Sequence, residues 1–314
     1  MTSTYGPMKT VSVIVPVYYN EGSLPLLFAE LLEVERQLQE RQLQLELIFV
    51  DDGSGDGSWE QLLKIKQQRA ATKLIKLTRN FGAVHACKTG AQFVTGDCFT
   101  ILAADLQDPP ELIHAMVDKW LAGAKYVLCA RQGRDDPLRS RIFSYLYYRL
   151  VRFFVAPDYP SEGYDLCLMD KAILPHFTGS GKNSYTPLLV YWLGFRPEII
   201  FYRRRERAHG KSRWTFWKKF NAFVDSLAGF SILPIRLVSL IGVLASFVSL
   251  SYGSFILVNA MLGRIEVRGF ATVVTLLAFL LGVIIIMLGM IGEYIWRIFD
   301  EVNKRPEAVI DEIL

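Results

Sequence analysis

Cysteine and histidine are scarce, with four of each in 314 residues. Cys87, Cys98, Cys129 and Cys167 fall singly, without a CxxC or any metal-ligand spacing. That excludes a zinc ribbon or a disulfide framework and leaves reduced thiols. His85, His114 and His176 stand apart from one another and from the carboxylates, so no zinc site is expected. The opening MTSTYGPMKT has no apolar core, which excludes a secretory signal peptide there. A large excess of one charge is missing too. A net charge of +4 gives no reason to expect a nucleic-acid partner.

Apolar residues are abundant, at 51% against 21% charged, and they are unevenly placed. Leu237 to Gly263 and Gly269 to Gly292 carry no charged residue. Each run exceeds the about 20 residues that cross a hydrocarbon core, so a transmembrane hairpin is expected at 233–263 and 269–292. Gly242, Ser246, Ser249, Gly253, Gly282 and Gly289 suit close helix packing in lipid, and with it a homo-oligomer. The run RRRERAHGKSRWTFWKKF precedes the hairpin, and Arg297, Lys304 and Arg305 follow it, whereas the short connection offers Arg264 and Arg268. Basic flanks favour the cytoplasm, which predicts a multi-pass protein of the inner (plasma) membrane with its large domain and both termini cytoplasmic. Residues 214–232 read as a juxtamembrane amphipathic helix, 140–155 as a second interfacial segment, and 293–314 as a cytoplasmic C-terminal tail.

The remaining 1–213 alternates short apolar runs with helical patterns. VSVIVPVY, LELIFVDDGS, KLIKLTRN, CFTILAADLQ and YVLCAR read as strands. Leu24, Leu27, Phe28, Leu31 and Leu38 share a helical face, Ser58 to Gln61 has the spacing of a capping box, and Ala83–Val94 and Glu111–Leu121 supply two more helices. Strand and helix alternating this way predict an α/β domain with a mainly parallel sheet. Ligands of such sheets bind beyond the carboxyl ends of the strands. Those ends carry Pro16 to Glu21, Asp51-Asp52-Gly53-Ser54, Arg79-Asn80-Phe81-Gly82 and Asp105-Leu106-Gln107-Asp108, a convergence of acidic and polar groups on one edge.

VPVYYNE, FVDDGSGDGS, LTRNFG, ADLQDPPE, GYDLCLMD and RRRERAHGKSRW occur in this order, and with the C-terminal hairpin they cover nearly the whole chain. In these stretches the sequence resembles the family 2 glycosyltransferases of the GT-A (Rossmann-like) fold, specifically membrane-attached polyprenyl-phosphate glycosyltransferases of the bactoprenol glucosyltransferase and dolichol-phosphate mannose synthase kinds. The resemblance implies a nucleotide-sugar donor, UDP before GDP, and a polyprenyl-phosphate acceptor such as undecaprenyl phosphate. By the same resemblance Pro16, Tyr18, Asn20, Glu21, Asp51, Asp52, Asn80 and Gln107 would frame the nucleotide-sugar. Asp105, Gln107 and Asp108 would meet Mg²⁺ or Mn²⁺, and Asp105 and Asp165 would be catalytic. Arg131, Arg203, Arg205 and Arg207, with His209, Lys211 and Ser212, would hold phosphate and acceptor.

Relatives often read DADLQ where this chain has Ala103-Ala104-Asp105-Leu106-Gln107, so a carboxylate is missing and ligation is expected to rest on Asp105. The alternative that Ala103 raises is a non-catalytic, membrane-anchored nucleotide-sugar-binding or scaffold protein. A processive polysaccharide synthase fits less well, because Gly210 stands where its QxxRW motif needs glutamine.

Overall fold

The computed structural model describes residues 8–132, 145, 147–153, 157–161, 163–182, 186–205, 233–262 and 269–314. The chain divides into two units, Met1–Ser226 with Pro306–Leu314, and Leu227–Arg305.

In the first unit the strands are β1 (Lys9–Val17), β2 (Leu43–Asp51), β3 (Lys73–Leu77), β4 (Cys98–Ile101), β5 (Tyr126–Arg131), β6 (Tyr164–Asp170), β7 (Glu198–Tyr202) and β8 (Ile310–Ile313). They form one sheet in the order β7-β5-β6-β4-β1-β2-β3-β8. β4, β1, β2 and β3 run parallel, as do β5 and β7, while β6 lies antiparallel between β4 and β5. The parallel core follows from its connections: α1 (Leu24–Glu40), α2 (Ser58–Gln68) and α3 (Ala83–Ala91) each return the chain to the same starting edge.

Alternation along β1 and β2 sorts side chains onto two faces. Val11, Val13, Val15, Leu45, Leu47 and Phe49 share a core with Leu24, Leu27, Leu31 and Leu38 of α1 and with Trp120 of α4 (Leu112–Leu121). Ile14, Ile48 and Val50 turn to the other core, with Ala86 and Ala91 of α3, Phe177 of α5 (Leu174–Thr178) and Val190 of α6 (Thr186–Trp192). Leu27 is fully buried, and truncating it to Ala would cost about 3 kcal/mol. Gly90 lets α3 approach the sheet, since a Cβ there would stand 2.6 Å from Ile14 Cγ2.

Two expectations change. The capping box at Ser58 is not formed, because the Ser58 hydroxyl accepts the Asn20 N–H at 2.8 Å instead. Asp56 supplies a local substitute by accepting the Ser58 N–H at 3.2 Å. The segment after the hairpin also has a structure of its own. β8 runs antiparallel to β3 and becomes the edge of the sheet.

The second unit holds α7 (Leu233–Met261) and α8 (Phe270–Val302). Ile235–Ile256 and Phe279–Val302 are long and apolar enough to cross a membrane. Phe247, Leu250, Ile285 and Leu288 are exposed, and Gly242 lies against Met287, where a Cβ would come within 2.7 Å of Cε.

Candidate active site

The carboxyl ends of β1 and β2 are tied into one surface. Asp52 N–H donates to Val17 O at 2.8 Å, and Tyr19 N–H donates to Ser54 Oγ at 3.1 Å. Asn20 folds back to accept the Tyr18 N–H at 3.0 Å, and Glu21 accepts the Gly57 N–H at 3.2 Å. Pro16 pairs with Val50 in register. Gly53 has φ +67°, and a Cβ on it would lie 2.5 Å from the Arg79 carbonyl carbon, so only glycine lets these two loops touch.

Asp51 and Asp52 are both buried at this edge. Asp51 accepts from Ser54, and burial pushes its carboxyl above the usual range. Asp52 accepts Phe81 N–H at 2.7 Å, Gly82 N–H at 3.0 Å and Asn80 Nδ2 at 2.9 Å. Burial outweighs those donors, so its carboxyl too is shifted up. Asp52 and Asn80 thus bind one another and hold the turn that opens α3.

β4 delivers the acidic stretch. Ala104 O accepts the Ser23 hydroxyl at 2.6 Å, which anchors the strand end to the start of α1. Leu106 follows with φ +60°, and Tyr19 has φ +58°. Non-glycine residues in this region carry strain that clusters at functional sites. Asp105 is half-buried, and its Oδ1 accepts the Gln107 N–H at 3.2 Å. Asp108 is buried and turned elsewhere: the Tyr202 hydroxyl donates to its Oδ1, with Arg204 Nε 3.3 Å away.

Asp165 reaches the same place through an irregularity. Cys129 pairs with Leu166 but Ala130 pairs with Tyr164, which leaves Asp165 as the extra residue of a bulge in β6. Bulges re-aim side chains beside sites. Here the bulge presents Asp165 to Arg131, which pairs through Nε and through Nη2, the latter 2.6 Å from Oδ1. Tyr202 OH lies 3.4 Å and Arg204 Nε 3.9 Å from Asp165 Oδ2. Burial would raise this carboxyl, but the bond to Arg131 and the charge of Arg204 outweigh it and hold it below the usual range. Asp108 moves the other way, raised by burial and by the charge of Asp165.

Asp105, Asp108, Asp165 and Arg131 are thus brought to one edge. Tyr202 and Arg204 join them although the sequence alone did not single them out. The strand-end position of FYRRR was the available signal, since β7 stops at Tyr202 and the next residues must lie over that edge. Arg205 is engaged differently: Glu30 sits 3.1 Å and Glu111 2.6 Å from its guanidinium, while its N–H donates to Gln107 O at 3.0 Å. It clamps the loop after β7 onto α1 and α4. Arg203 is exposed beside it. Arg207, His209, Lys211, Ser212, the expected helix at 214–232 and half of 140–155 lie outside the described residues.

Among the described residues no three His, Cys, Asp or Glu side chains form a ready-made metal cage. The fit to a divalent ion rests on Asp105 and the Gln107 side-chain oxygen. Such hard donors suit Mg²⁺ or Mn²⁺ when water and phosphate oxygens complete the shell.

Comparison with known proteins fits this geometry. The profile of Glycosyl transferase family 2 matches residues 12–177. A Synechocystis protein described as an uncharacterized glycosyltransferase is 33% identical over 96% of this chain and 95% of its own length. The prophage-derived bactoprenol glucosyl transferase of Shigella flexneri is 29% identical over 96% of this chain and 97% of its own. The mannosyl-3-phosphoglycerate synthase of Rubrobacter xylanophilus superposes with a TM-score of 0.51 at 19% identity, covering 70% of this chain and 73% of that one, and so shares the GT-A fold. With the profile spanning β1 to α5 and every strand-end group of the edge inside it except those of β7, the chain belongs to glycosyl transferase family 2.

Proposed function

We propose that this glycosyltransferase moves a sugar from a nucleotide-sugar, a UDP-sugar before a GDP-sugar, to a polyprenyl phosphate such as undecaprenyl phosphate. The product would be a polyprenyl-phosphate sugar for modifying cell-envelope glycans. The observation that carries this reading is the meeting of Asp105, the Asp165–Arg131 pair and Arg204 at one sheet edge, in a chain that also holds two long apolar helices. The full-length similarity to a bactoprenol glucosyl transferase supports the same acceptor.

Pro16, Tyr18, Asn20, Glu21 and Asp51 would frame the nucleotide, with Asp52 and Asn80 shaping the loop beside it. Asp105 and Gln107 would hold Mg²⁺ or Mn²⁺, which when bound offsets the charge of the departing diphosphate. Asp108 is engaged at Oδ1 by Tyr202 and Arg204, so a share of Asp108 in that set would fall to its Oδ2. A phosphate monoester has its second pKa near about 6, so the acceptor is already largely dianionic at neutral pH. Asp165, kept ionised by Arg131 and Arg204, then has only to orient the acceptor or take a residual proton. Arg131, Arg203 and Arg204 supply guanidinium groups for phosphate. Direct displacement at the anomeric carbon inverts its configuration, and NMR of the product linkage checks this.

The membrane reading has topological support. β8 follows both apolar helices yet pairs with β3, which precedes them, so the helices cross together or not at all. With basic flanks this favours a hairpin in the plasma membrane and the catalytic unit in the cytoplasm. Among the described residues, nothing beyond their own helix turn lies within 4 Å of where a Cβ on Gly253, Gly282 or Gly289 would sit, leaving small-residue faces for a second copy.

The test is transfer of radiolabelled sugar from a panel of UDP- and GDP-sugars to undecaprenyl phosphate in detergent, with Mg²⁺, Mn²⁺ or EDTA. Labelled lipid from one donor, lost with EDTA, is the expected result. Nucleotide binding without lipid product from any donor would overturn it.

A further inference from the structure

We propose that Glu307, carried by the segment that follows the hairpin, is a positioning residue for the nucleotide-sugar edge. The proposal rests on the reading of that edge as the donor site.

Glu307 meets two residues of α3. Its carboxylate lies 2.6 Å from Lys88 Nζ and 3.4 Å from His85 Nδ1. Lys88 has a side chain only 5% exposed and also donates to Ser180 O at 2.6 Å. A buried ammonium needs such a partner, so Glu307 fixes where α3 lies. The same segment grips the strand before α3. Ile75 pairs with Ile313 and Leu77 with Ile310, the Thr78 N–H donates to Val309 O at 3.0 Å, and Leu74 and Leu314 exchange two bonds of 2.9 Å.

The turn Arg79–Gly82 is therefore held from both sides, by Val309 at Thr78 and by Glu307 through His85 and Lys88. That turn supplies the Phe81 and Gly82 amides and the Asn80 amide group that Asp52 accepts. Its backbone also lies against Gly53 in the loop after β2. A shift of α3 or β3 thus passes directly to the paired loops that would frame the nucleotide. Nothing links Glu307 to Asp165 or Arg131 by comparable bonds among the described residues, so the effect falls on the donor rather than the acceptor.

The test compares full-length wild type in detergent with Glu307→Gln, Lys88→Met, their double variant, and a chain stopped before Pro306. Asp311→Asn, exposed on β8, is the control. Donor and acceptor KM, kcat, UDP and GDP binding by calorimetry, and amide exchange over residues 78–86 are measured. Glu307→Gln and the shortened chain should raise donor KM at least about fivefold and leave acceptor KM within about twofold. Exchange over 78–86 should quicken, and the double variant should be no worse than its worse single, as for partners in one interaction. Unchanged donor KM and exchange in Glu307→Gln would overturn the proposal even if the shortened chain fails to fold. Equal rises in donor and acceptor KM would overturn it as well, since they mark general loosening. A wild type that binds neither nucleotide would sink the donor-site reading, and the positioning proposal with it.

Discussion

The two ends of the parallel sheet surround their carboxylates differently. At the amino end Glu46 is surrounded by donors: Ser12 Oγ, Lys73 Nζ at 2.7 Å, Thr95 N–H at 2.9 Å and Thr95 Oγ1 at 2.7 Å. Burial would raise its carboxyl, yet those bonds hold it below the usual range. At the carboxyl end Asp51, Asp52 and Asp108 are raised, because burial there is not fully offset. A carboxylate that serves only the fold can be saturated by its neighbours. At the carboxyl end the balance differs from one carboxylate to the next: Asp165, facing Arg131 and Arg204, is held low, while its neighbour Asp108 is raised by burial and by the charge of Asp165.

The largest effect should come from Asp165→Asn, which removes the charge facing Arg131 but keeps the shape. We expect kcat to fall about a hundredfold, the scale of a misoriented acceptor. The melting temperature should move by no more than about 3 °C. A variant with near-wild-type turnover would erase the functional side of the contrast. Glu46→Ala should do the reverse, costing about 2 kcal/mol by stranding Ser12 and Thr95. Denaturant or thermal melts would show it, with kcat of the folded protein unchanged. Tyr202→Phe, which removes the hydroxyl between Asp108 and Asp165, should lower kcat/KM about tenfold. Comparing steady-state kinetics with a melt separates that loss from unfolding.

The smallest effect concerns acid. Because the folded Glu46 carboxyl lies below its ordinary 4.5, its stabilisation is complete above that value and fades as pH falls through the depressed one. Asp51 and Asp52 have the opposite sign, since a raised acid stabilises below 3.8 and loses that contribution as pH climbs through its folded value. Glu46→Gln should therefore flatten the acid limb of the stability curve, seen as melts taken at descending pH. An unaltered limb would mean that Glu46 is not the group that titrates.

Much of this edge could be read from the sequence because strands advertise themselves by β-branched runs, and their carboxyl ends by an abrupt turn to Asp, Asn and Gly. The helical face of α1 was equally plain, and all five of its expected residues are buried. What escaped depends on partners distant in the chain. Ser58 has the spacing of a cap, but Asn20 takes its hydroxyl. Arg205 and Arg204 are neighbours in a run of arginines, and only tertiary structure sends one to Glu30 and Glu111 and the other to Asp108. No local pattern announces that Asp165 sits on a bulge. VIDEIL pairs its apolar and polar residues two by two rather than alternating them, so no strand pattern marks it, and its position after the hairpin makes it read as a tail.

The pairing of β8 with β3 also sets an order of events during synthesis. β3 is made early, and until residues 310–313 emerge one side of it has open backbone donors and acceptors. Such an edge invites pairing with other chains. Its natural cover arrives only after both apolar helices have been translated, so the nascent catalytic sheet waits, incomplete, through the whole passage of the hairpin. Chains stalled before that point should be the ones that aggregate.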